Sequence, residues 1–200
     1  MRTMKKKDLE ISLQKVEGFE SPGPSLEQYM TPATIAADII FDAYRSGDIA
    51  GMKVVDLGCG TGMLSIGASL MGAGMTIGFD RSEKALETAR RNAASMGADV
   101  DFILSDVEEV KEMADTVVMN PPFGCQNRNA DRPFLDKAME LAECVYSIHM
   151  LETLGFVKEY CGKKGRTVRS YKIYKYEIPH VFSFHTKTKK TIDVAVVNIR

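Results

Sequence analysis

The sequence predicts an α/β domain: a mainly parallel sheet with helices on both faces, closed by an antiparallel hairpin at its C-terminal end. Three observations carry this. Between Met52 and Met150 short apolar runs alternate with stretches of helical spacing, a pattern that demands right-handed crossovers and a parallel sheet covered on both sides. A glycine-rich turn, "DLGCGTG", joins the first run to the helix after it. The runs "GRTVRSYKIYKYEIP" and "KTIDVAVVNI" are rich in β-branched and aromatic residues with no helical stretch between them, the mark of an antiparallel pair. A chain of 200 residues, 44% apolar and 26% charged, has the size and composition of one globular domain. Residues 1–200 are therefore read as a single unit, with 1–30 an N-terminal helix and lid and 31–200 the core.

The elements follow in order. Leu9, Leu13 and Val16 recur at helical spacing, and "EGFESPGPS" then breaks the pattern with two prolines and two glycines, giving a loop or hinge. In "YMTPATIAADIIFDAYRSGDIAG" Thr31 is read as the N-cap and Pro32 as the first helical residue. Ile35, Ile39 and Ala43 form the buried stripe, with the end near Ser46. "MKVVDLG", "MTIGFD", "VDFILSD", "DTVVMN" and "VYSIHM" are strands one to five. The helices between them are "TGMLSIGASLMG", "SEKALETARRNAASMG" with Ser82 as N-cap, and "DRPFLDKAMELAE". Met52, Met63, Met71 and Met75 are read as core fillers. His149, at the end of an apolar strand, is read as a satisfied core histidine rather than a catalyst.

The glycine turn carries the first chemical signal. Gly58, Gly60 and Gly62 stand where backbone must approach a ligand closely, but the pattern is D-x-G-x-G-x-G, and Met63 occupies the last glycine position of the dinucleotide fingerprint. The second strand ends in Asp80, suited to accept from both hydroxyls of a ribose, and the third in Asp106, suited to an adenine amino group. With Asp56 these residues outline a pocket for an adenosine-bearing ligand without pyrophosphate, and S-adenosylmethionine fits. A glycine turn needed only for tight packing accounts for Gly60 or Gly62 but not for three strand-end aspartates. Cys59 has no histidine or lysine near it in sequence and is read as lining the loop with its backbone rather than as a nucleophile.

The second signal is "VVMNPPFG". Two prolines remove two backbone donors and fix two φ angles, so the turn after Asn120 is stiff. An exocyclic amine on adenine is a poor nucleophile because its lone pair is delocalised into the ring. An enzyme gains by accepting its protons as the nitrogen moves toward sp³. The amide oxygen of Asn120 and the carbonyl of Pro121 are two such acceptors, Pro122 keeps them aimed, and Phe123 offers a face on which a planar base stacks. An ordinary turn after a strand is the bland alternative.

The motif [DNS]-P-P-[YFW] resembles the signature of methyltransferases acting on amines conjugated to a planar system, and the phenylalanine leans toward adenine, since enzymes that methylate glutamine in release factors usually carry NPPY. The resemblance narrows when "LEQYMTPATIAADI", "DLGCGTGMLSIGA", "GFD", "MNPPFG", "FLDKA" with "VYSIH", and "FSFHTKTKKTIDV" are taken together. From about Leu26 to Ile199 the chain is similar to the small-subunit ribosomal RNA N6-adenine methyltransferases, the fifth member of the human methyltransferase-like series and its archaeal relatives. That resemblance implies a Rossmann-like class I S-adenosylmethionine-dependent fold of seven strands in the order 3-2-1-4-5-7-6. It implies Gln28 and Thr31 touching the cofactor from above; Asp56, Gly58, Cys59, Gly60, Thr61 and Met63 along its loop; Asp80 at the ribose; Asp106 and Val107 beside its adenine; and Asn120, Pro121, Pro122 and Phe123 as the catalytic turn. The competing activities are DNA N6-adenine or protein N5-glutamine methylation, and, from another class, a non-catalytic cofactor-binding RNA scaffold. A DNA enzyme usually adds a target-recognition domain for which this chain has no room.

Net charge is −1, yet from Lys158 to Arg200 eleven Lys or Arg face only Glu159, Glu177 and Asp193. Lys163, Lys164, Arg166 and Arg169, with Lys187, Lys189 and Lys190, are the expected ribosomal RNA surface, Phe182 and Phe184 backing a base; a solvated charged face is the bland alternative. The four cysteines, Cys59, Cys125, Cys144 and Cys161, show no CxxC pair or finger spacing, so reduced thiols and no metal site are expected. No run is long and apolar enough to cross a bilayer, and the start lacks a signal-peptide core, from which a cytoplasmic protein without membrane contact is expected. The third strand, Val100 to Leu104, is expected at the sheet edge, offering Phe102 and Leu104 on one face and Ile103 on the other. There the resemblance implies a heterodimer with a small zinc-binding activator protein, the metal residing in the partner.

Overall fold

A computed structural model describes residues 4–19, 29–123, 129–179 and 189–200. Seven strands form one sheet: β1 (Lys53–Leu57), β2 (Met75–Asp80), β3 (Asp101–Leu104), β4 (Thr116–Met119), β5 (Cys144–Met150), β6 (Val168–Pro179) and β7 (Lys189–Ile199). Their order is β3-β2-β1-β4-β5-β7-β6, as expected. The pairs from β3 to β5 are parallel, and β7 runs antiparallel to both β5 and β6. Helices α1 (Lys6–Leu13), α2 (Ala33–Arg45), α3 (Met63–Leu70), α4 (Glu83–Met96), α5 (Arg132–Leu141) and α6 (Leu154–Lys163), with short 3-10 turns at Val107–Glu109 and Leu151–Thr153, complete the described elements.

The strand order reverses at β1. The chain steps outward through β2 and β3, then returns to pair β4 on the other side of β1, and at such a switch point the loops leaving the two central strands splay apart into a crevice. Register makes the crevice specific. Leu57 stands opposite Met119 and Phe79, so the glycine turn, the second-strand aspartate and the Asn-Pro-Pro turn leave the sheet side by side.

The core lies on both faces, because successive strand residues point to opposite sides. Val54 belongs to a cluster with Leu9, Leu13, Ile40 and Ile66 from α1, α2 and α3. Val55 and Leu57 belong to another with Leu135, Leu141 and Val157 from α5 and α6. Leu9 and Leu13 are wholly buried, which contributes about 1.5–3 kcal/mol for each. An eight-residue helix is too short to stand in water unaided. Helix α1 is therefore built into the core, and the segment that follows, residues 20–28, lies outside the described residues.

Several expectations need correction. Helix α2 begins at Ala33 with Pro32 in the capping position and no side-chain cap; the Thr31 hydroxyl serves the cleft instead. Ser82 does cap α4, its side chain accepting from the Ala85 N–H at 3.3 Å. Helix α6 was not anticipated, because Gly155 and Gly162 dilute a stripe carried only by Leu154, Val157 and Cys161. Met63 and Met71 are buried and Met52 is partly so, but Met75, at the open start of β2, is 49% exposed and fills no core. At the β3 edge Ile103 and Leu104 are 43% and 54% exposed, whereas the Phe102 ring turns inward, within about 3 Å of where a Cβ on Gly78 or Gly62 would stand. His149 is buried in the manner expected, its Nε2 at 2.7 Å from Ser147 Oγ and its Nδ1 at 3.6 Å from Asp131. Among the described residues no helix is long and apolar enough to cross a membrane.

Candidate active site

The crevice at the carboxyl ends of β1, β2 and β4 holds a cavity of about 290 Å³ lined by Gly58, Gly60, Asp80, Asp106, Val107, Asn120, Pro122 and Phe134 among others. A smaller chamber of about 40 Å³, lined by Thr31, Asp56, Cys59, Thr61 and Met63, opens from it. Phe19, Tyr29, Gly58, Gly60 and Asn120 border both, so the two are one cleft with a waist.

The glycine loop is shaped by its surroundings. Gly60 has φ +54, and a Cβ there would come within 2.8 Å of the Phe19 ring, so a larger residue would strain the backbone and displace that ring. Its N–H donates to Asp80 Oδ2 at 2.8 Å, and the Ser82 N–H donates to Asp80 Oδ1 at 2.9 Å. Both carboxylate oxygens are thereby held, each with a further lone pair for a ligand, while burial pushes the Asp80 carboxyl above its ordinary value. Asn92 ties the N-terminal segment down over the loop. Its amide donates to the carbonyls of Thr61 and Glu17 at 2.9 and 3.1 Å and accepts from the Glu17 N–H at 2.9 Å.

Asp56 lies deeper. Its Oδ2 accepts from the Ser65 N–H at 2.9 Å and the Ser65 hydroxyl at 2.5 Å, fixing the first turn of α3. Burial outweighs those bonds and raises its pKa to about 7, with Asp80 adding to the rise. Burial, with Asp56 and Asp80 nearby, also holds the Cys59 thiol well above its usual range, so it is no nucleophile. Asp106 caps the short 3-10 turn at Val107–Glu109, accepting from the Glu108 N–H at 3.2 Å, and lines the cleft.

Asn120 follows β4. Its Nδ2 donates to the hydroxyls of Thr31 at 3.0 Å and Tyr176 at 3.1 Å, and its Oδ1 is buried without any partner. Such an orphaned acceptor costs roughly 1–3 kcal/mol to bury, and it is retained at the waist of the cleft. Phe123 stands nearly parallel to Tyr29, with ring centroids 6.5 Å apart, and edge-on to Tyr176 at 5.6 Å.

The basic residues divide. Lys163 pairs with Glu159 at 2.6 Å, Lys164 with Asp136 at 3.0 Å, and Arg166 donates to the carbonyls of Met139 and Ala142; Arg169 is exposed. All four sit where β6 begins, level with the start of β5, since Val168 and Val145 both face Ile199. That is the end of the sheet opposite Asn120, so the structure does not bring them to the Asn-Pro-Pro turn. Lys189 and Lys190 begin β7 at the cleft end. Gln28, Phe182, Phe184, Lys187 and Cys125 lie outside the described residues.

Reading the sequence missed Phe19, Asn92, Phe134 and Tyr176. The only available signal was for Tyr176, which the alternation in "YKIYKY" places on the same strand face as Tyr174.

A doubly wound sheet in this order, with a glycine loop and acidic strand ends around one cleft, is the fold of class I S-adenosylmethionine-dependent methyltransferases. Residues 48–172 match the family described as Methyltransferase domain. The chain is 37% identical to the rRNA N(6)-adenosine-methyltransferase METTL5 of Danio rerio over 98% of each chain. It is 39% identical to its Drosophila melanogaster counterpart, over 97% of this chain and 95% of that one. Among solved structures, an inferred RNA methyltransferase from Pyrococcus horikoshii matches with a TM-score of 0.92 at 40% identity, covering 99% of this chain and 98% of the other. The chain is a methyltransferase and belongs to the METTL5 family.

Proposed function

We propose that this enzyme transfers a methyl group from S-adenosylmethionine to N6 of an adenosine in small-subunit ribosomal RNA, in the cytoplasm. The observation that carries the reading is the buried, unpartnered Oδ1 of Asn120, both of whose amide hydrogens are already held. An acceptor with no donor of its own is what an exocyclic amine requires as its nitrogen gains sp³ character, and an amide oxygen keeps that capacity at any pH near neutral. S-adenosylmethionine supplies an electrophilic methyl group on a sulfonium. Asn120 Oδ1 and the Pro121 carbonyl would accept hydrogen bonds from the two N6 hydrogens as the nitrogen gains sp³ character, and the proton displaced on methylation would pass from them to water. Phe123 offers the base a stacking face beside Tyr29. The full-length similarity to proteins named rRNA N(6)-adenosine-methyltransferases supports the substrate.

The cleft suits this cofactor. Asp80 and the Gly60 turn would hold the ribose, Asp106 and Val107 the adenine, and Asp56 with Thr31, Thr61 and Met63 the amino-acid end, whose ammonium matches a buried carboxylate. A pH dependence follows. Because the folded value of Asp56, about 7, lies above the ordinary 3.8, its contribution to the stability of the free protein is present below pH 4 and lost as pH rises through 7. The ionised form is the one that pairs with an ammonium. The rise in melting temperature produced by saturating cofactor therefore grows between pH 5.5 and 7.5, and Asp56→Asn flattens that growth. An increment independent of pH in the unaltered enzyme would overturn this role.

The β3 edge is the proposed site for a small zinc-binding activator protein. The Ser105 N–H donates to the Asp80 carbonyl at 3.0 Å, so by the alternation along a strand Phe102 and Leu104 aim their peptide groups away from β2. One of those groups, the Phe102 carbonyl, is taken by Arg90 at 3.2 Å; exposed Ile103 and Leu104 flank the remainder, an edge that favours pairing with another strand. Incubating the enzyme and activator with labelled cofactor and separate pools of small-subunit rRNA, large-subunit rRNA, DNA and release factor tests the whole reading. Label is expected in the first pool alone. Label in DNA or release factor would establish the competing substrates, and label in none would favour a scaffold.

A further inference from the structure

The side-chain amide of Asn120 has two ends of opposite character, and the chemistry proposed for it needs the oxygen to face the cleft. Nothing in Asn-Pro-Pro-Phe sets that choice. Both neighbours of the inner end are hydroxyls, and a hydroxyl either donates or accepts, so a flipped amide would find partners equally well if those two were all.

A third group breaks the tie. Tyr176 is wholly buried, and its hydroxyl lies 3.1 Å from Asn120 Nδ2 and 3.2 Å from the backbone carbonyl of Met30. A carbonyl only accepts, so placing the single phenolic proton on Met30 satisfies that group, and what Tyr176 then presents to Asn120 is a lone pair, whether or not Thr31, also a neighbour of the phenol, shares the proton. The amide must answer with N–H. Its second hydrogen goes to Thr31 Oγ1 at 3.0 Å, and Oδ1 is left as the end without a partner. We infer that Tyr176 is a positioning residue that sets the polarity of the Asn120 amide, taking its own direction from the Met30 carbonyl. This rests on the reading of Asn120 as the acceptor of the amine proton. Burial raises the Tyr176 hydroxyl to about 12, so it stays a donor across the working range. Its ring also meets Phe123 edge-on at 5.6 Å, a contact that phenylalanine would keep.

Tyr176→Phe isolates the hydroxyl. Without it Asn120 keeps only Thr31, which serves either end of the amide, and a fraction of molecules turn N–H toward the incoming amine. The test is a cycle of four proteins: the unaltered enzyme, Tyr176→Phe, Asn120→Ala and the double variant. Each is assayed for single-turnover methylation of purified small-subunit ribosomal RNA and, by calorimetry, for cofactor Kd. The expected result is that Tyr176→Phe slows the step by roughly tenfold, leaves Kd and the KM for RNA within about twofold, and has no further effect once Asn120 is alanine. A general loss of folding would slow both backgrounds by the same factor. Equal slowing in the two backgrounds, or a Tyr176→Phe enzyme at the parental rate, would overturn the inference. An Asn120→Ala enzyme at the parental rate would instead sink the reading beneath it.

Discussion

Asn120→Ala slows methyl transfer on the order of a hundredfold or more while leaving cofactor affinity within about twofold. The separation is expected because the amide oxygen has no partner within the protein and gains one only as the amine gives up its proton, so its contribution falls on the transition state rather than on the bound cofactor. Removing one preorganised acceptor from a water-poor cleft costs about 2.7–4 kcal/mol of barrier by analogy with a lost oxyanion-hole donor. Alanine also vacates the bonds to Thr31 and Tyr176, and because Thr31 lines the smaller chamber the affinity measurement is needed beside the rate. Single-turnover rates with saturating cofactor, set beside calorimetric affinities, check both halves. Parental turnover would remove Asn120 from catalysis.

Asp80→Ala has the opposite signature: cofactor affinity falls on the order of a hundredfold, and turnover at saturating cofactor changes by a few-fold. Two losses combine. The ribose hydroxyls lose a charged acceptor, and hydrogen bonds to charged groups contribute about 1.5–3 kcal/mol each. The Gly60 and Ser82 N–H groups lose theirs as well, which loosens the loop beneath Phe19. None of these groups lies at the transferred methyl in the proposed arrangement, so the chemical step is largely spared. Calorimetric Kd values for the two proteins decide the matter, and an affinity within threefold of the parent would place the ribose elsewhere.

The order of the strands, and of the helices up to β5, was legible because a parallel sheet buried on both faces writes itself as apolar runs separated by helical spacing, and β1, with its run Val54–Leu57 all buried, is such a case. The cleft was legible for the same reason. Its residues follow strand ends, and strand ends can be counted. What escaped notice depends on contacts made across the fold. Thr31 precedes Pro32 and a helix, and the local signal for a cap was sound; the hydroxyl goes instead to a residue 89 positions away. Tyr176 is one tyrosine among several in a β-rich run, and only the folded chain shows which of them reaches Asn120. The place of the basic run was not legible because charge along a sequence carries no information about which end of a strand it lands on. Lys163, Lys164 and Arg166 precede β6 and Arg169 lies at its start, and a strand running parallel to β5 begins at the far end from the cleft.

The insertion of β7 between β5 and β6 orders events in time. Tyr176 stands on the outermost strand, which joins the sheet only through β7, and β7 extends to Ile199. Domains assemble from the N-terminal side as the chain is synthesised, and contacts distant in sequence form late. Until residues 189–199 have joined the sheet, β6 has no strand to pair with, and the Tyr176 hydroxyl is not held against Asn120. A contact between residues 56 positions apart thus waits on a strand that neither of them belongs to.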